Sequence, residues 1–307
     1  MKSPITKSLA AALFALAALV SFNSSLRAQN QPAPAAEQAD APKKIEIPDL
    51  KLTHGPAVVK LGKVAEVKLP EGYAFVGPDS LDKFFAMTQN SRNGKEVGVI
   101  LSPERWLLFF DFDDVGYVKD DEKANLDADK LYKTLDEGQS AANESRKERG
   151  WDELKLQGWA TKPGYDEKTH NLKWAIKISS SSDQYKSIGI NESIRFLGRG
   201  GVMKVTLVGD YDQFASQEAK ADQLLAGFSY LPGSTYAEFR SGDKVAKYGL
   251  AALVVGGAGV AAAKLGLLGK LGAVFAKMGK AIIIGVVALG AGIVKLWKKI
   301  LGKEKVD

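Results

Sequence analysis

An α+β fold is what this sequence predicts: an antiparallel sheet with helices packed on it, followed by C-terminal transmembrane helices. Three observations carry that expectation. Residues 45–235 alternate strand-like apolar runs with a few helix-like stretches. The link Gly198-Arg199-Gly200-Gly201 joins two of those runs as a tight hairpin. Two uncharged apolar stretches then follow, residues 248–263 and 281–294. The body, about 190 residues, is long enough for one domain with a substantial core.

Taken in order, residues 58–61 and 64–69 alternate as strands around Gly62, and Glu71-Gly72 makes the next turn. Asp79 or Ser80 is placed to cap a helix running through Met87. Residues 96–101 and 106–112 read as apolar and aromatic strands. Asp127 caps a long helix from Ala128 to about Arg149, with Leu131 and Leu135 on one face and Gly150 closing it. Strands return at 154–160, 172–179, 186–197 and 202–208, with Pro163-Gly164-Tyr165-Asp166 as a turn. A closing helix over 212–226 ends at Gly227, before Phe228 and Tyr230.

The ends read differently. Residues 1–28 hold Lys2 and Lys7, then an apolar stretch too short to span a bilayer, which predicts a signal peptide cleaved after Ala28. Residues 29–44, with Pro32, Pro34 and Pro42 among Ala, Gln and acids, form a flexible linker, and 236–247 a juxtamembrane linker. Residues 248–307 are the membrane anchor region. Its small residues Ala252 with Gly256, and Ala258 with Ala262, fall at the four-residue spacing that lets helices pack closely in lipid. Lys264, Lys270, Lys277 and Lys280 separate the two apolar stretches, and Lys295 and Trp297 follow the second as interface anchors. One span followed by basic helices lying on the inner leaflet obeys the positive-inside rule, whereas the apolarity of residues 281–294 favours two spans. The expected location is the inner (plasma) membrane, with the main domain extracytoplasmic.

Charge supports that division. From Val245 onward ten Lys face Glu304 and Asp307, a surplus of eight in a chain whose total is +6, so residues 1–244 sum to −2. The body is therefore no nucleic-acid surface. With no Cys and two His, thiol nucleophiles, disulfides and Cys/His zinc sites are excluded.

Several runs resemble a bacterial family of membrane-anchored proteins known as domain of unknown function 2167. They are Phe110-Asp111-Phe112-Asp113-Asp114-Val115-Gly116-Tyr117-Val118-Lys119-Asp120-Asp121-Glu122, then Leu126-Asp127-Ala128-Asp129, then Gly158-Trp159-Ala160 leading through Pro163, Tyr165-Asp166 and His170 to Leu172 and Trp174-Ala175. The likeness covers roughly residues 50–300 and implies a signal peptide, one extracytoplasmic domain and C-terminal membrane segments. It brings no established activity. The order of hairpin, strand, helix and Phe-x-Tyr also resembles small extracytoplasmic sandwiches of the PsbP or Mog1 kind, a likeness of fold alone.

Two constellations carry candidate chemistry. Counting Asp111 as position one of a calcium loop puts Asp113 at three, Gly116 at six and Glu122 at twelve, but Val115 at five and Lys119 at nine break the pattern. The preferred reading is a polar turn, so no cofactor is predicted, and calcium is the one that Asp111, Asp113 and Glu122 could suggest. His170, preceded by Tyr165 and Asp166, is the candidate acid/base, with Asp166 the second candidate catalytic residue; the partner and pocket that such a role needs are not visible in the sequence. The function expected is a non-enzymatic binding module of the bacterial envelope. Its partners are the membrane and an envelope protein, or a second copy bound through the tail. The alternatives are a hydrolase or metal-dependent enzyme using residues 111–122 or His170, and a membrane-sensing or membrane-perturbing tail regulated by the body.

Overall fold

The computed structural model describes residues 45–256 except 48, 89, 91, 182 and 184–186. The expected signal peptide and linker (1–44) and everything after Gly256 lie outside the described residues, including Ala258, Ala262, Lys264, Lys270, Lys277, Lys280, Lys295 and Trp297. The described chain runs β1 (Leu52–His54), β2 (Ala57–Leu61), β3 (Ala65–Leu69), β4 (Ala74–Val76), α1 (Pro78–Met87), β5 (Glu96–Leu101), β6 (Leu107–Asp113), α2 (Ala128–Glu148), β7 (Leu154–Asp166), β8 (Asn171–Ser180), β9 (Gly189–Leu197), β10 (Val202–Asp210), α3 (Phe214–Leu225), β11 (Phe228–Tyr230) and α4 (Leu250–Val254).

The antiparallel sheet is eight-stranded, in the order β1-β4-β5-β6-β10-β9-β8-β7, and a three-stranded sheet β11-β3-β2 packs beside it. Strand alternation assigns the faces. Phe75, Ile100, Leu108, Phe110, Met203, Val205 and Leu207 meet Val59, Leu61, Val67 and Leu69 of the small sheet and Leu224 and Leu225 of α3. Leu107, Val99 and Val208 point the other way, against Leu81, Phe84 and Phe85 of α1. At the far end of that same face, Leu172, Trp174, Ile176 and Ile178 lie against Leu131 of α2 and Leu250, Leu253 and Val254 of α4.

Local chemistry accounts for the elements. The Asp127 carboxylate accepts from the Lys130 N–H at 3.1 Å, capping α2 as expected. Helix α1 starts one residue before the expected caps, because Pro78 sets a helical φ at its first position behind Gly77. The Gly198–Gly201 link closes β9 on β10 in antiparallel register, Leu197 opposite Val202. Residues 163–166 continue β7 rather than turning; β7 is an edge strand, where a proline's missing N–H is tolerated. Its reversal falls instead at residues 167–170, with Asp166 paired to Asn171 and His170 at φ 53.

The stretch 236–247, expected as a linker, is stitched to the domain. The Tyr117 N–H donates to the Lys244 carbonyl at 2.8 Å, and Ala246 N–H donates back to Tyr117 at 2.9 Å. We call residues 236–249 the strap. Gly116 makes this possible: its φ is 90, and a Cβ there would stand 2.4 Å from the Lys244 carbonyl oxygen. No helix among the described residues is long and apolar enough to cross a membrane.

Candidate functional site

An open cleft of about 310 Å³ lies beside the β9–β10 turn, where the two sheets part. Phe112, Val64 and Tyr230 supply its apolar lining, and Arg199, Asp243 and Lys244 its charges. The Tyr230 hydroxyl is fixed, donating to the Phe196 carbonyl at 2.8 Å and accepting from the Met203 N–H at 2.9 Å. Arg199 grips Asp243 with two parallel bonds, Nε to Oδ2 at 2.7 Å and a terminal nitrogen to Oδ1 at 2.8 Å. That guanidinium, helped by the Arg240 N–H, holds the Asp243 carboxyl down at about 2. Across the opening the Lys244 ammonium donates to the Asp114 carbonyl at 2.5 Å. Gly201 brings backbone to the wall, since a Cβ on it would meet the Asp113 carbonyl oxygen at 2.3 Å. Cations and anions at the mouth are thus paired with each other, over an aromatic lining, which suits recognition of a small polar and apolar surface.

The strap also carries a ladder of rings. Phe239 stacks on Tyr117 at 4.2 Å between centroids, Tyr117 stacks on Tyr236 at 4.3 Å, and His170 leans on Tyr236 at 4.5 Å. The Tyr236 hydroxyl donates to the Val118 carbonyl at 2.9 Å. His170 Nδ1 is 3.1 Å from the Tyr165 hydroxyl, whose phenol burial pushes up, with the Asp120 charge adding to it.

On the sheet face between α1 and α2, four charged residues stand in one cross-strand row: Glu96, Asp111, Lys204 and Arg195 on β5, β6, β10 and β9. Burial raises the Asp111 carboxyl to about 6 against the pull of Lys204, with Glu96 adding to the rise. Burial lowers Arg195 to about 10, opposed by Asp111, and the guanidinium lies over the Trp174 ring at 4.6 Å. On the opposite face Lys173 reaches Glu192 at 2.9 Å, Glu218 at 2.9 Å and Asp222 at 3.1 Å. Burial, reinforced by Glu218 and opposed by Lys173, raises Glu192 to about 8.

The structure separates the expected site residues. Asp111 and Asp113 share β6, where Asp113 pairs with Lys95 and lies 3.8 Å from Lys204. Glu122 is elsewhere, accepting from the Ala251 N–H at 3.2 Å at the start of α4. The three therefore form no loop of converging ligands, and no group of three potential metal ligands occurs among the described residues. Strand geometry explains this: Asp111 is buried on the sheet face and Asp113 is engaged by Lys95 and Lys204 before the chain leaves the sheet. Asp166 accepts from the Lys168 and Thr169 N–H groups as a turn, and His170 finds Tyr165 rather than Asp166. Ala252 is buried in the domain, and Gly256, at φ 105, follows α4 in a left-handed conformation rather than continuing a helix. The residues that sequence reasoning passed over are Arg195, Lys204, Glu192, Arg199 and Asp243. The signal for the first three was present: each is a charge at a position where a strand is otherwise apolar.

The family described as Protein of unknown function (DUF2167) matches residues 53–290. No curated protein matches the chain. Among solved structures, cyanobacterial PsbP (CyanoP) of Synechocystis aligns at 11% identity and TM-score 0.35, covering 61% of this chain and 95% of that one. The Ran-binding protein Mog1p of Saccharomyces cerevisiae aligns at 9% identity and TM-score 0.28, covering 64% of this chain and 100% of that one. Likenesses at this level carry no argument about activity.

Proposed function

We propose, from the premise that the chain belongs to the DUF2167 family of proteins of unknown function, that it is a membrane-anchored extracytoplasmic module that binds rather than reacts. One observation carries the reading: the strap that walls the cleft with Asp243 and Lys244 is the same chain that continues into the basic, apolar tail. A ligand in the cleft would thus sit against the connection to the membrane. The apolar stretch 281–294 and the nine Lys after Gly256 support an anchor at an anionic bilayer. The cleft's charges are held in ion pairs and its tyrosine in backbone hydrogen bonds, an arrangement that favours recognition over proton transfer.

A photo-crosslinker at Lys244, exposed at the cleft's mouth, tests this in membranes of the producing cell. A defined adduct that disappears in Ser234→Trp, which fills the cleft, is the expected result. An adduct indifferent to that substitution, or no adduct, would count against the cleft as the binding site.

A further inference from the structure

Resting on the membrane-anchored reading, we propose that the strap's outer edge is a second membrane contact: an aromatic and basic surface around Phe239 and Val245 that lies in the headgroup layer of an anionic bilayer. The domain leaves few large apolar side chains in water, and two of them, Phe239 at 38% and Val245 at 40% exposure, are on this strap. Both are rigidly presented. Phe239 stacks on Tyr117, which stacks on Tyr236, itself tied to the Val118 carbonyl. Val245 is fixed by the pair of backbone bonds that Tyr117 makes to Lys244 and Ala246 on either side of it. A ring and a branched side chain held out by stiff backing lose little freedom on entering an interface.

The charge around them fits the same partner. Arg240, Lys244 and Lys247 are exposed on the strap. Its two acids are already committed: Asp243 to Arg199 and the Arg240 N–H, and Glu238 to the Thr235 hydroxyl and the Gly233 and Thr235 N–H groups. Lys244 in turn is held by Asp114, which leaves Arg240 and Lys247 as the strap's outward cations. Aromatic side chains interleaved with Lys and Arg are the composition of interfacial contacts, with apolar bodies below the headgroups and cations among the phosphates. Covalent continuity names the occupant. Seventeen residues after Phe239 the described chain ends at Gly256, and the tail beyond it holds nine Lys, two acids and the apolar stretch 281–294. The bilayer that takes the tail is thus within the strap's reach. Val58, at 56% exposure on β2 of the small sheet, is the internal control, an exposed apolar residue off the strap.

The chain has no cysteine, so Val245→Cys and Val58→Cys each give the full-length protein a single spin-labelling site. The labelled chains are reconstituted in phosphatidylethanolamine vesicles containing phosphatidylglycerol and a trace of nickel-chelating lipid, and the pelleted fraction is measured in parallel. The expected result is co-sedimentation of both chains. The label at 245 should then show a several-fold loss of access to a water-soluble relaxation agent, and strong relaxation by headgroup nickel; the label at 58 should show neither. If the chains pellet but position 245 behaves like 58, the tail holds and the proposed surface is wrong. If 245 is shielded from water without relaxation by headgroup nickel, a second copy covers it and the proposal fails. If the chains do not pellet, the anchored reading falls and this contact falls with it.

Discussion

Replacing Leu253 by Ala separates two places for the same residue. The apolar stretch 248–263 reads from sequence as the start of a membrane span, yet Leu253 is 4% exposed and packed in the core formed by α2, β8 and β9. A buried Leu cut to Ala costs about 2–5 kcal/mol, the lost transfer energy plus the cavity left behind. For a domain of this length each kcal/mol moves Tm by roughly 2–4 °C, so the expected fall is roughly 4–20 °C. The assay is thermal unfolding of the full chain in mild detergent, followed by the near-ultraviolet signal of the buried Trp106 and Trp174. Were Leu253 facing lipid or detergent, the domain transition would stay within about 0.5 kcal/mol of the parent. An unmoved transition refutes the assignment of residues 250–254 to the domain.

Glycine substitutions should split by position. Gly116→Ala forces a Cβ to 2.4 Å from the Lys244 carbonyl oxygen at φ 90, and should lower stability by roughly 1–3 kcal/mol in urea unfolding. Gly138→Ala in α2, where nothing lies within 4 Å, should raise it by roughly 0.5–1 kcal/mol. The raised Asp111 carboxyl has a pH signature. An acid whose folded value is about 6 against an ordinary 3.8 favours folding below 3.8, and that contribution is lost as pH rises through 6. The unfolding free energy from urea titration should therefore rise for Asp111→Asn relative to the parent between pH 4 and pH 7, by at most about 3 kcal/mol; a gap that does not change with pH would contradict the burial. Arg199→Ala releases Asp243 and should speed hydrogen exchange at the Tyr117 and Ala246 amides, whereas unchanged exchange would mean the ion pair does not hold the strap.

What was legible in the sequence was whatever a local pattern dictates. The Asp127 cap and the Leu131 face placed α2 within a residue or two, and the Gly-rich link placed the β9–β10 hairpin. Three-residue β1 and β4 carry too few alternations to be seen, and the division into two sheets depends on long-range pairing, as β11 with β3 shows. Pro163-Gly164 reads as a turn because local chemistry does not reveal which strand will be an edge. The cleft was illegible for a related reason: Val64, Phe112, Arg199 and Asp243 meet only once both sheets and the strap are assembled. The acidic run drew attention by its spacing, but spacing on a strand does not bring Glu122 to Asp111.

Flotation of two chains tests the account most directly, one full-length and one ending at Gly256, on phosphatidylethanolamine vesicles containing phosphatidylglycerol. The full chain should float while the shorter one stays in solution with an unchanged unfolding midpoint, its strap and α4 intact. A full chain that stays in solution, or a shorter chain that floats equally well, would contradict it.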